Sequence, residues 1–258
     1  MLDWNLLTNK QGLILWGGVN STNYGIVVEE CPTFDKPKIR TDVYNVPGRN
    51  GSILFQDGSF DDVTRAYKIL VDENTQYDSG GSPVSGTLAD RVNAFTAALY
   101  SKKGYQELSD NFEPDIFRLA YLTGGQDFTN ELLMYGRSTL QFTCRPERFL
   151  NDGKNITLFT GASFTENNPT LFTSKPLWTI VGGTGTVTIT SGGKTITATL
   201  GTNESIQIDA DRMNAYYGTT NKNNKISGDF PVLAPGTNTI AVTGTYTNIQ
   251  FQPRYFTI

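Results

Sequence analysis

Tyr67, Ile69 and Val71 stand at alternate positions around Lys68 and Leu70, the period of two expected of a mostly buried strand. Leu140, Phe142 and Cys144 alternate with Gln141 and Thr143 in the same way, in a strand that Pro146 is expected to close. Shorter apolar runs at Gly12–Trp16, Tyr24–Val28 and Phe117–Leu122 add three more strand candidates. The period changes once. Leu88, Val92, Phe95 and Leu99 recur at spacings of three and four, which predicts a helix from about Leu88 to Lys103. Thr87 is its expected N-cap, Asp90 completes a capping-box pair, and Gly104 suits the C′ position, with Arg91 and Asn93 on the face away from the stripe. The stripe reads as core packing rather than a membrane face, because Lys102-Lys103 is its only basic cluster. Before the helix, residues 72 to 86 carry too few apolar side chains to bury and read as a polar loop.

Beyond residue 150 the chain becomes almost purely strand and turn. Alternating runs at 155–159, 177–181, 186–190, 194–200, 205–208, 212–217, 238–243 and 248–251 give eight strand candidates, enough for a β-sandwich of roughly a hundred residues. Gly182-Gly183 and Gly192-Gly193 are expected to mark hairpins. The change of character near Cys144-Arg145-Pro146 divides the chain into an N-terminal domain, residues 1–146, and a C-terminal domain, residues 147–258. The 26 glycines and the abundant Thr and Asn agree with a mainly β (α+β) protein containing one helix.

The most shaped segment is V-P-G-R-N-G, comprising Val46, Pro47, Gly48, Arg49, Asn50 and Gly51, between strand-like runs at Val43–Val46 and Ile53–Phe55. Pro47 fixes φ, Gly48 and Gly51 accept φ > 0, and Asn50-Gly51 is the dipeptide that type I′ turns favour. Gln56-Asp57-Gly58 supplies a second turn signal. Such a tip is either a solvated turn or a contact surface.

Charge and missing residue types narrow the chemistry. A formal net charge of −4 without a Lys/Arg cluster argues against binding a nucleic acid backbone through a basic face. The sequence contains no histidine, which removes Ser-His-Asp and Cys-His catalytic sets and His-ligated metal sites. Cys31 and Cys144 have neither metal-site spacing nor a partner pair and are expected as two free, mostly buried thiols. Among the acids, Asp209-Ala-Asp211 could hold a cation but reads as a solvated turn, and Glu107, Asp110, Glu113 and Asp115 read as a charged loop rather than a glycosidase pair. Gly182-Gly183-Thr184-Gly185 lies between strands, so a turn outranks phosphate binding. No catalytic residue, metal site or cofactor is expected. The N-terminus M-L-D-W-N-L-L-T has no signal-peptide pattern, no run approaches the ~18 apolar residues of a membrane span, and the chain is expected to be cytoplasmic when made.

Five segments taken in order resemble the distal tail proteins of phages with long, non-contractile tails, the siphophages. They are Asn45–Ser52 (N-V-P-G-R-N-G-S), the helix followed by Tyr105-Gln106-Glu107-Leu108, F-T-C-R-P at Phe142–Pro146, Asn223–Ile240, and P-R-Y-F-T-I at Pro253–Ile258. The resemblance covers nearly the full length. It implies a structural, non-enzymatic protein of the virion tail tip. The N-terminal domain would form a homo-hexameric ring around the tail channel, stacked as one or two rings in isolation, and a galectin-like β-sandwich would lie outside it. It also implies partners: the major tail-tube protein, the tail-tip protein, and receptor-binding or baseplate proteins. DNA would pass through the channel without specific binding, which an acidic chain permits. On this reading the Val46–Gly51 tip reaches a neighbouring subunit, with Arg49 as donor across the interface. The competing reading is a carbohydrate-binding adhesion module, with Trp178, Tyr216 and Tyr217 as candidate sugar-stacking rings. Sugar-binding galectins use a histidine that this chain lacks, and a core role for Trp178, with one tyrosine facing in and one out, is the plainer expectation.

Overall fold

Alternation sets the first sheet. In the computed structural model, which describes residues 12–33, 35–72, 78, 82, 84–124, 129–131 and 135–258, the strands Val63–Asp72 and Tyr135–Leu150 pair antiparallel, Val63 opposite Cys144 and Gly136 opposite Val71. Tyr67, Ile69, Val71, Leu140, Phe142 and Cys144 all point into one core, as the period of two requires. The sheet runs Val19–Asn20, Ile14–Trp16, Gln106–Asp110, Ile116–Leu122, Tyr135–Leu150, Val63–Asp72, Ile26–Val28. Pro146 does not close its strand. The ladder to Val63–Asp72 ends at Cys144, so the missing N–H two residues later breaks no bond to that partner.

The helix Leu88–Tyr100 lays Leu88, Phe95 and Leu99 into the same core, with the Phe95 ring 5.4 Å from that of Tyr24. Its capping box forms as expected: the Asp90 N–H donates to Thr87 Oγ1 at 3.3 Å and the Thr87 N–H to Asp90 Oδ2 at 3.1 Å. The helix stops at Tyr100, three residues short of the expected Lys103, with Ser101 as C-cap; its hydroxyl donates to the Ala98 carbonyl at 2.7 Å. Arg91 is buried rather than turned away from the core, because its guanidinium donates to the carbonyls of Val84 at 2.6 Å and Gly86 at 3.1 Å and so folds back over the first turn. Among the described residues no helix is long and apolar enough to cross a membrane. The expected polar loop, residues 72–86, lies mostly outside the described residues, as does the N-terminal M-L-D-W-N-L-L-T.

The chain divides into two units, Met1–Arg148 with Ile258, and Phe149–Thr257. The second is built on two long strands, Leu177–Ser191 and Lys194–Asp209. They are joined at Gly192-Gly193, where φ values of 58° and 74° make a type I′ two-residue loop, which needs positive φ at both positions. Gly182-Gly183 makes no hairpin. The register instead shifts between Ile180, Gly183 and Gly185, a bulge that fuses two expected strands into one. A Cβ on Gly182 would sit 2.4 Å from Thr247 Oγ1, which is why a side chain cannot occupy the bulge. Strand order is Thr157–Phe159, Asn248–Gln252, Leu177–Ser191, Lys194–Asp209, Asn214–Tyr217, Thr220–Asn221. Gly236–Thr245 pairs with both Leu177–Ser191 and Ser163–Asn168, the latter a strand whose mostly polar sequence hid it. Inward residues form a second core around Trp178, Ile180, Ile206, Ile208, Ile240 and Phe251.

Trp178 is 0% exposed, its ring centroid 4.5 Å from that of Phe251. Trp178→Ala is expected to lower stability by about 3–5 kcal/mol, read by denaturant titration, while the molar mass of the native chain stays unchanged.

Candidate subunit-interface hairpin

The segment around V-P-G-R-N-G forms a separate two-stranded ribbon, Asp42–Tyr44 against Ile53–Phe55. Asp42 lies opposite Phe55, Val43 opposite Leu54 and Tyr44 opposite Ile53. Pleating therefore sends Val43 and Leu54 to one face and Tyr44, Ile53 and Phe55 to the other. Both faces are open: Tyr44 is 58%, Leu54 63% and Phe55 60% exposed. The tip residues Val46, Pro47, Gly48, Arg49, Asn50 and Gly51 are all exposed as well.

The tip is built differently from the expected Asn50-Gly51 turn. A type I′ turn needs two consecutive positive φ values, and only Gly51, at 81°, supplies one. The tight turn is Val46–Arg49, in which the Arg49 N–H donates to the Val46 carbonyl at 3.2 Å. Pro47 holds the first corner and Gly48, with φ 80°, the second, the type II arrangement. Across the loop base the Ser52 hydroxyl donates to Asn45 Oδ1 at 2.6 Å. Lower down, the Asp61 N–H donates to the Lys38 carbonyl at 2.8 Å, the Arg40 N–H to the Ser59 carbonyl at 3.0 Å, and Arg40 Nε to Asp61 Oδ1 at 2.9 Å. The Gln56-Asp57-Gly58 signal is met by an Asx turn, the Ser59 N–H donating to Asp57 Oδ1 at 2.8 Å.

Asp115 is exposed in a turn as expected, whereas Asp110, Glu113 and Asp209 are buried. Asp110 ends the strand Gln106–Asp110 and Glu113 lies in the loop that follows, but both are buried in an ionic network rather than solvated. Arg65 Nη2 donates to Asp110 Oδ2 at 2.8 Å, and the Tyr67 hydroxyl donates to the same oxygen at 2.6 Å while accepting from Arg65 Nε at 2.7 Å. Glu113 takes hydrogen bonds from Arg118 and Arg148, with Arg65 3.3 Å away. Asp209, expected in a solvated turn, is fully buried; Arg254 reaches it from Nη1 at 2.7 Å and Nη2 at 3.2 Å, and it accepts the N–H groups of Asp211 and Arg212. These partners consume the carboxylates and leave them no open face for a substrate or cation. The expectation of two buried thiols holds for Cys144 alone, since Cys31 is exposed in the irregular stretch after the strand Ile26–Val28. Of the three candidate stacking rings, Trp178 is enclosed, Tyr216 is half-buried and Tyr217 is exposed. Ala215 points inward and alternation puts Tyr217 on its face and Tyr216 on the other, but neither tyrosine belongs to the buried core.

Burial alone would push the Glu113 carboxyl up. The Arg118 hydrogen bond and the charges of Arg118, Arg148 and Arg65 overcome this and hold it below its ordinary 4.5. Its contribution to stability is therefore complete above pH 4.5 and is lost as pH falls through the lowered folded value. Glu113→Gln should cost about 3 kcal/mol at pH 7, because it strands buried guanidinium charge. The gap from the native chain should shrink as the native carboxylate protonates, as urea titrations between pH 7 and 3 would read; a gap that does not change with pH would refute the ionic account.

Residues 172–255 match the family of siphovirus-type tail component C-terminal domains. No curated protein sequence matches the chain. Among solved structures it is similar to the Dit protein of phage SPP1, described as a paradigm of the hub adsorption apparatus of phages infecting Gram-positive bacteria. The TM-score is 0.69 at 14% identity, over 96% of this chain and 99% of that one. Domain match and shared fold agree: residues 172–255 match the siphovirus-type tail component family, in a chain with the fold of a phage distal tail protein.

Proposed function

We propose that this chain is a structural hub of the virion tail tip, forming a homo-hexameric ring around the tail channel through its N-terminal unit. The observation that carries the reading is the hairpin Asp42–Phe55. A two-stranded ribbon is marginal in water, and this one exposes large apolar side chains on both faces. Burial against another subunit removes that surface from water without any change in the two cores. The ribbon is a projecting element with unlike ends, suited to the head-to-tail contacts that close rings.

On this reading the N-terminal ring meets the tail-tube and tail-tip proteins, and the second unit, as a galectin-like sandwich, docks receptor-binding or baseplate proteins. The protein's work is positional rather than catalytic. An acidic chain with no Lys/Arg cluster lets DNA pass without holding it. Size-exclusion chromatography with light scattering, over a dilution series, tests the assembly: the expected mass is that of six subunits, or twelve for two stacked rings. A single-subunit mass at every concentration would overturn it.

A further inference from the structure

We propose that the Arg49 guanidinium at the hairpin tip of one copy of this chain docks into the cleft at the base of the same hairpin in the next copy. The inference rests on the reading of the hairpin as a subunit interface and names both halves of its polar contact.

The receiving half is a cleft of about 280 Å³ lined in part by Lys38, Arg40, Asp42, Phe55, Asp57 and Asp61. Three carboxylates against two cations leave it one negative charge in excess. Arg40 is paired with Asp61 at 2.9 Å, and its charge also acts on Asp57. Asp57 is held in place by the Ser59 N–H and hydroxyl, at 2.8 and 2.6 Å, and both bonds fall on its Oδ1. Those bonds also hold its carboxyl below the usual carboxylate range. Phe55, more than half exposed, offers a ring face on which a guanidinium can lie.

The donating half is Arg49. It is exposed and forms no ion pair with any described residue, and the Pro47-Gly48 turn fixes the backbone that presents it. A guanidinium fork matches carboxylate oxygens in a way a lysine does not. About 13 Å of extended chain separates Phe55 from Gly51, so the tip projects away from its own cleft. Tip and cleft are different patches, so their union is heterologous and repeats from copy to copy. The apolar ribbon supplies most of the buried surface, and the tip contact sets its register.

Charge reversal with complementation tests this. R49E and D57R alter exposed side chains outside both cores, and circular dichroism checks their folding. Each variant alone should need at least about tenfold more protein for half-assembly, measured by light scattering in low salt, because like charges then meet at every contact. An equimolar mixture should assemble as the native chain does, since each R49E tip can meet a D57R cleft and each native tip a native cleft, alternating around an even-membered ring. A mixture no better than its components, or two single variants that assemble normally, would overturn the proposal. The double variant L54D/F55D separates the levels. Loss of assembly there, with normal assembly of both charge variants, removes the tip-to-cleft contact and leaves the hairpin interface standing. Normal assembly of L54D/F55D removes both.

Discussion

The first unit depends on one ladder, Val63–Asp72 against Tyr135–Cys144, which joins segments more than 60 residues apart in sequence. Closing so long a loop is costly in chain entropy, and the return comes only when both strands bury their inward side chains together. Tyr67 and Phe142 meet edge to face at 6.0 Å, Phe142 packs against Trp16 at 5.3 Å, and the helix covers the same core with Phe95 and Leu99. The rest of the sheet adds to the flanks of this pair.

Charge is buried in each unit by the same device. Asp110 ends one strand and Asp209 another; in each case Oδ1 accepts two backbone N–H groups, two and three residues on, and an arginine from a distant segment approaches the carboxylate. The backbone bonds hold the carboxylate in place, so each ion pair is oriented and its lone pairs are occupied. That satisfies the condition under which a buried pair is tolerated, and it makes the loss of either partner costly. The device also positions chain: Arg254 has φ 54° and its N–H donates to the carbonyl of Gly153, where a Cβ would lie 2.5 Å from the Tyr255 nitrogen.

The sequence displayed its elements where one period governed. Tyr67, Ile69 and Val71, the 88–99 stripe with Thr87 and Asp90, and Gly192-Gly193 all encode local geometry, and the structure follows them. What stayed hidden was set by tertiary partners. A glycine pair encodes a turn or a bulge equally well, and only Thr247 and Leu200 crowding Gly182 and Gly183 decides between them. Asp110 and Glu113 look like loop acids until Arg65, Arg118 and Arg148 arrive from other strands. Ser163–Asn168 carries few apolar side chains because it pairs only with Gly236–Thr245. The hairpin's position was legible from Pro47 and Gly48, whereas the exposure of both its faces could not be seen without the fold.

A ribbon whose tip carries a cation and whose root carries acids has a direction. Copies joined along such a vector would all point the same way round, and a ring built so would have a handed circumference and an upper and a lower surface that differ in chemistry. Two unrelated proteins can then each bind one surface, and identical subunits suffice to distinguish the two ends of an axis.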